Sequence, residues 1–208
     1  MACSCIVQDR TVGGVSVHPL FAGILTVAAL AVNLGLSMAD NALNLPFFMD
    51  SIGTTVVAAT LGLAPGLIVA IGTEALFEVV YGMTMRYFPF AICGVATLLI
   101  IRAFVMSGRF QSIGEALLAS LAVAMANAVL GGIVAAFLYG GITGAGIDFL
   151  VTGMIAAGQS VLTASFWARV PANLFDKTVA VLIAYFARDP ILQLSEQLAA
   201  KRYPRKGH

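Results

Sequence analysis

Residues 44–66, NLPFFMDSIGTTVVAATLGLAPG, decide how the chain reads. One carboxylate, Asp50, stands just inside an apolar run behind the loop Asp40-Asn41-Ala42-Leu43-Asn44. The run closes on the Gly62–Gly66 turn, and another apolar segment follows at once. A charge inside an apolar helix is costly unless it is paired or reaches water. The surroundings are apolar nearly throughout: of 208 residues, 60% are hydrophobic and 10% charged, with a mean hydropathy of +0.98. A soluble domain carries roughly a quarter charged residues. The composition therefore predicts an all-α membrane protein, its apolar runs being too long and too uniform for barrel strands.

Outward from that stretch, six spans are expected: Pro19–Met38, 47–61, Pro65–Gly82, Pro89–Met106, Ile113–Tyr139 and Ala172–Ala187. Residues 148–168 form an extra helical segment, and a break at Arg169-Val170-Pro171 is expected to separate it from the last helix. We expect it to fold against the outer part of the six-helix bundle as a lid or half-inserted helix; were it to cross, there would be seven spans and the N-terminus would change sides. Residues 1–18 read as an N-terminal tail, 19–190 as the transmembrane bundle, and 191–208 as a basic tail in which 191–200 can form a short amphipathic surface helix. No cleaved signal peptide is expected, since a basic start with a small-residue cleavage site is missing.

Small residues recur at four-residue spacing in the first span (Ala31, Gly35, Ala39) and the fifth (Ala116, Ser120, Ala124, Ala128, Gly132, Ala136). Such stripes let helices approach closely. The long stripe predicts an internal seam, with Asn127 and Gly131 beside it. The first stripe fits either internal packing or a partner helix.

The basic residues Lys201, Arg202, Arg205 and Lys206 predict a cytoplasmic C-terminus by the positive-inside tendency. With six spans, Asp50, Glu74, Glu78, Asp148, Asn173, Asp176 and Lys177 then gather toward the outer surface, while Arg102 lies toward the other. Glu74, Glu78 and Tyr81 share one helical face. One shared, water-accessible pocket tolerates these charges better than scattered burial. We therefore expect an outward-opening site involving Glu74, Glu78, Tyr81, Asn127, Asn173, Asp176 and Lys177. Structural ion pairing is the alternative for the charges. Asp50 is ranked behind Glu78 and Asp176, because an acid in the first turn of a helix is favoured by the helix dipole alone.

Other chemistry is poorly represented. A net charge of +1 gives no reason to expect nucleic acid. The cysteines are Cys3, Cys5 and Cys93, and the histidines are His18 and His208, so neither a metal site nor a cofactor is expected. No phosphate loop, zinc-protease helix or nucleophile elbow is present, which argues against an enzyme.

The segments LPFFMDSIGTTVVAATLGLAPGLIVAI, GGITGAG and NLFDKTVAVLIAYF resemble the membrane-embedded substrate-binding (S) components of energy-coupling factor (ECF) transporters, in particular an uncharacterised subgroup with a Leu-Pro-x-x-x-Asp-x-x-Gly-Thr segment. The similarity spans roughly residues 19–190. It implies a six-helix protein in a prokaryotic inner membrane that captures a vitamin or related micronutrient in its outer half. The component then docks on a transmembrane coupling subunit driven by two ATPase subunits. By position, the ligand site would include Asp40 to Asn44, Gln159, Trp167, Asn173, Asp176 and Lys177. Ala31, Gly35 and Ala39 would face the coupling subunit. The competing expectation is a membrane sensor that binds a small ligand without transport. It is weakened by the short stretch after the last helix, which leaves no room for an output domain.

Overall fold

The computed structural model describes residues 11–202 apart from residues 13, 14 and 18. Cys3, Cys5, His18, His208, Arg205 and Lys206 lie outside the described residues. Two short strands, β1 (Thr11–Val12) and β2 (Val15–Ser16), pair antiparallel. The rest is a helical bundle: α1 (Pro19–Leu43), α2 (Ile52–Thr60), α3 (Leu63–Val80), a 3-10 turn at Phe88–Phe90 leading into α4 (Ala91–Met106), α5 (Ile113–Tyr139), α6 (Asp148–Ala156) and α7 (Val161–Arg202). Five helical segments among the described residues are long and apolar enough to cross a membrane: 19–43, 63–80, 88–106, 113–139 and 161–199.

The six-helix expectation needs correction at its second member. Residues 44–51 are not helical, and α2 has only nine residues, about 13.5 Å at the helical rise. Bilayer hydrocarbon is about 30 Å thick. The cause is local. Asp40 to Asn44 is not a loop, because α1 continues to Leu43 and ends on Asn44 in the left-handed region (φ 51°). Leu45 N donates to Asp40 O (3.0 Å) and Asn44 N to Asn41 O (3.1 Å), the paired bonds of a Schellman C-cap. Pro46 then removes a backbone donor and keeps Leu45 out of helical geometry.

The second correction concerns residues 148–168. The helix from Asp148 stops at Ala156, Gly158 turns the chain with φ 90°, and Val161 starts the last helix. The expected break at Arg169-Val170-Pro171 does not occur, since α7 runs 42 residues through Pro171 and Pro190, about 63 Å. Residues 191–200 continue this helix rather than forming a separate surface helix. The nine-residue α6 packs Ile147 and Val151 against Ala164, Ala168 and Ala172 of α7, a short hairpin at one end of the bundle.

Helices α1 and α3 run in the same direction. A Cβ at Gly72 would lie 3.0 Å from Leu30 Cδ2, and Asn33 reaches Thr73 (3.1 Å). Residues 44–62 therefore lead the chain back between them, first extended, then as α2. Irregular backbone at that depth is tolerated only where protein or a wet cavity surrounds it, and α2 meets the condition: Val57, Ala58 and Ala59 have no exposed surface. Asn33 ties three helices, accepting from Gly53 N (2.7 Å) and donating to Thr54 (3.0 Å) as well as Thr73. At Gly53 any Cβ would lie 2.3 Å from Ala29 O, so α1 and α2 touch backbone to backbone.

The fifth-span stripe is an internal seam. Ala116, Ser120, Ala124, Ala128 and Gly132 are buried, and a Cβ at Gly132 would sit 3.1 Å from Phe166 Cα. Ala31, Gly35 and Ala39 are instead exposed, with nothing within 4 Å of where Gly35 would carry a side chain.

Candidate ligand site

At one end of this bundle the C-terminal parts of α1, α3 and α5, the start of α4, the first half of α7 and the extended residues 47–50 surround a cavity of about 100 Å³. Its walls mix aromatic rings (Phe47, Phe48, Phe77, Tyr87, Phe90) with charges: Asp40, Asp50, Glu74, Arg86, Arg169 and Lys177. Buried charges in an apolar bundle are rare and mark functional pockets by default.

Lys177, 2% exposed, is fully satisfied. Its ammonium donates to Asp176 Oδ2 (2.6 Å), Asp50 Oδ1 (2.8 Å) and Ser51 Oγ (2.9 Å). Three donors meet three acceptors. The ammonium thereby fastens α7 to the extended segment, which explains how that segment holds its position without helical bonds. Asp50 is not in the first turn of a helix. It precedes Ser51, the residue before α2, and keeps a quarter of its side chain exposed toward the cavity.

Arg169, two turns earlier on α7 and 1% exposed, is in the opposite condition. Its Nη1 donates to Ser165 O (3.1 Å), while Nε and Nη2 find no partner among the described residues. Gly131 of α5 packs beside it: a Cβ there would stand in ordinary contact, 3.6 Å from Arg169 Cδ and from Cys93 Sγ. The α1 and α3 side carries complementary groups. Asp40 Oδ1 and Ser37 Oγ are buried without partners, and none of the described hydrogen bonds or ion pairs involves the carboxylate of Glu74, itself 9% exposed.

Glu78 has a different task from the one its sequence position suggested. Oε1 accepts from Thr84 Oγ1 (3.2 Å) and Arg86 N (3.2 Å), and Oε2 from Tyr87 N (2.7 Å) and Phe88 N (3.1 Å). The carboxylate is consumed in shaping residues 84–88, which carry Arg86 and Tyr87 to the cavity. Tyr81 packs at a tilt against Phe77 and Tyr87 (4.7 and 5.3 Å between ring centres) and braces the same turn. Tyr139 hydroxyl secures it further by donating to Met85 O (2.8 Å).

Of the expected site residues, Asp40, Asn41, Asp50, Glu74, Asn127, Asn173 and Lys177 thus come together on the cavity wall. Asn127 donates to Thr97 (2.9 Å) and Val123 O (2.9 Å), and Asn173 donates to Arg169 O (2.9 Å). Asp176 stands behind the wall as a partner of Lys177. Glu78 and Tyr81 support the loop. Gln159 lies in the exposed turn between α6 and α7, and Trp167 is 54% exposed on the outside of α7. Sequence reasoning left Arg169 and Ser37 out of the site; Arg169 was read as part of a chain break, whereas an arginine within an unbroken apolar helix would have stood out. No cluster of three metal-ligating side chains occurs among the described residues. Comparison with protein-family models, curated proteins and solved structures finds no match to this chain.

Proposed function

We propose that this chain is a membrane-embedded solute-capture subunit of the ECF type, holding a micronutrient-sized solute at one end of its bundle and passing it to a coupling subunit powered by separate ATPases. One observation carries the reading: charged side chains from α1, α3 and α7, together with Asp50 of the extended segment, converge on a single cavity. A discontinuous stretch of chain beside a binding site is a recurrent device of membrane transport proteins, and residues 44–51 match it. With residues 44–62 taken as a crossing, the chain passes the membrane six times.

Orientation follows from charge. Arg102, Arg109, Arg188, Lys201 and Arg202 belong to the end of the bundle away from the cavity, so the positive-inside tendency makes that end and the C-terminus cytoplasmic. The cavity then opens outward in the inner membrane of a prokaryote. The exposed Ala31, Gly35 and Ala39 face of α1 supports docking of a coupling subunit, since the bundle makes no internal use of it. The test is uptake into vesicles containing the chain with ECF coupling and ATPase subunits. ATP-dependent solute accumulation that needs all components is the expected result. Solute binding without any coupled accumulation overturns the reading.

A further inference from the structure

The unpartnered groups of the cavity fall into two kinds carried by different helices, a cation on α7 and oxygen groups on α1 and α3. Arg169 is buried with Nε and Nη2 free. These two donors form one edge of the guanidinium, the planar fork that fits a carboxylate with two parallel hydrogen bonds. Among the described residues no carboxylate forms an ion pair with it, and Asp148 acts on it only from beyond ion-pair distance. On α1, Asp40 Oδ1 and Ser37 Oγ are also without partners, and Glu74 of α3 lines the same cavity with no described hydrogen bond.

Burying a polar or charged group without a partner is unfavourable, and this cavity holds such groups on both α7 and α1. A carboxylate alone would meet Arg169 but be repelled by Asp40, Asp50 and Glu74. A cation alone would leave the guanidinium bare. The aromatic rings that line the same cavity suit a short apolar body, and about 100 Å³ limits its size.

We infer that the cavity binds a compact zwitterion, with its carboxylate on the Nε and Nη2 edge of Arg169 and its ammonium on Asp40 and Glu74. This names the ligand class for the capture site and rests on that reading. Arg169 and Asp40 are ligand-binding residues whose charges are completed only by solute, and Lys177 with its closed set of acceptors is scaffold.

The test uses the full chain purified in detergent, with thermal stability measured against millimolar ω-amino carboxylates from glycine to 6-aminohexanoate. Propionate, propylamine and inorganic phosphate serve as single-charge probes. At least one zwitterion should raise the melting temperature while the single-charge probes do not. Arg169→Lys, which keeps the charge but loses the fork, should weaken that zwitterion about tenfold. Asp40→Asn should weaken it comparably. Arg169→Met should melt no lower than the parent chain without probe, which separates ligand binding from a structural role. Equal stabilisation by propionate or phosphate, retained in Asp40→Asn, overturns the zwitterion in favour of a simple anion site. No shift with any amino carboxylate overturns it too. If coupled uptake is nevertheless observed, the capture function stands without this ligand class; if a zwitterion binds but no coupled uptake occurs, the ligand class stands without that function.

Discussion

Lys177 and Arg169 lie eight residues apart on α7, and both are essentially buried. Lys177 spends all three protons on Asp50, Asp176 and Ser51, whereas Arg169 holds one carbonyl and leaves a fork open. Burial alone does not distinguish these fates; the supply of acceptors does. The extended segment 44–51 can bring Asp50 and Ser51 to Lys177 because it is not wound into a helix. Among the described residues no carboxylate comes within ion-pair distance of Arg169, Asp148 acting on it only from further off. One buried cation is structural and its neighbour is poised for a ligand.

Removing the paired cation should show the largest effect. Lys177→Met strands Asp50 and Asp176 in a buried site, and breaking a buried pair costs about 3–5 kcal/mol. Chemical unfolding in detergent should show a loss on that scale. A loss no larger than for Arg169→Met would break the distinction between the two cations. Gly53→Ala comes next, because its Cβ would collide with Ala29 O at 2.3 Å; overpacking of this kind costs roughly 1–3 kcal/mol. The same unfolding measurement should place it below Lys177→Met, and an unchanged midpoint would mean that α1 and α2 are not in backbone contact.

Glu78→Gln sharpens the contrast at the cavity mouth. It replaces an ionised acceptor of three backbone N–H groups and one hydroxyl, and charged hydrogen bonds contribute about 1.5–3 kcal/mol. Amide exchange should accelerate for Arg86 to Phe88 while the bundle midpoint moves little. Unaltered exchange there would return Glu78 to the list of candidate ligand groups. The smallest effect on stability belongs to Gly35→Leu, which enters open space. The isolated chain should melt as before, whereas capture of the coupling subunit on a column should fall. Normal capture would remove this face of α1 from the partner surface.

The membrane class was plain in the sequence because it rests on composition, which no tertiary contact can change. The fifth span was equally legible, its ends marked by Ser112 with Glu115 in a capping box and by Gly140 in the left-handed region. The second span misled, because an apolar run such as PFFMDSIGTTVVAAT satisfies helical patterning whether or not it is wound. Pro46 was the visible warning. The break placed at Pro171 erred the opposite way, since a proline within a long packed helix can be absorbed by neighbours. For the site, the gathering of charges at one end was readable from topology. Which of them is free was not: Glu78 and Asp176 look available by position, and only the backbone of residues 84–88 and the ammonium of Lys177 consume them.

The stretch 44–66 marks the division between the two kinds of information. Its residues by themselves determined an apolar passage interrupted by one acid and closed by glycine, because hydropathy and backbone freedom are properties of each residue type. The partner of that acid, the half of the passage that stays extended, and the cation left free nearby were decided by packing. Those outcomes depend on Asn33 and Lys177, which approach the site from other helices, and burial makes each hydrogen bond a matter of which distant side chain arrives.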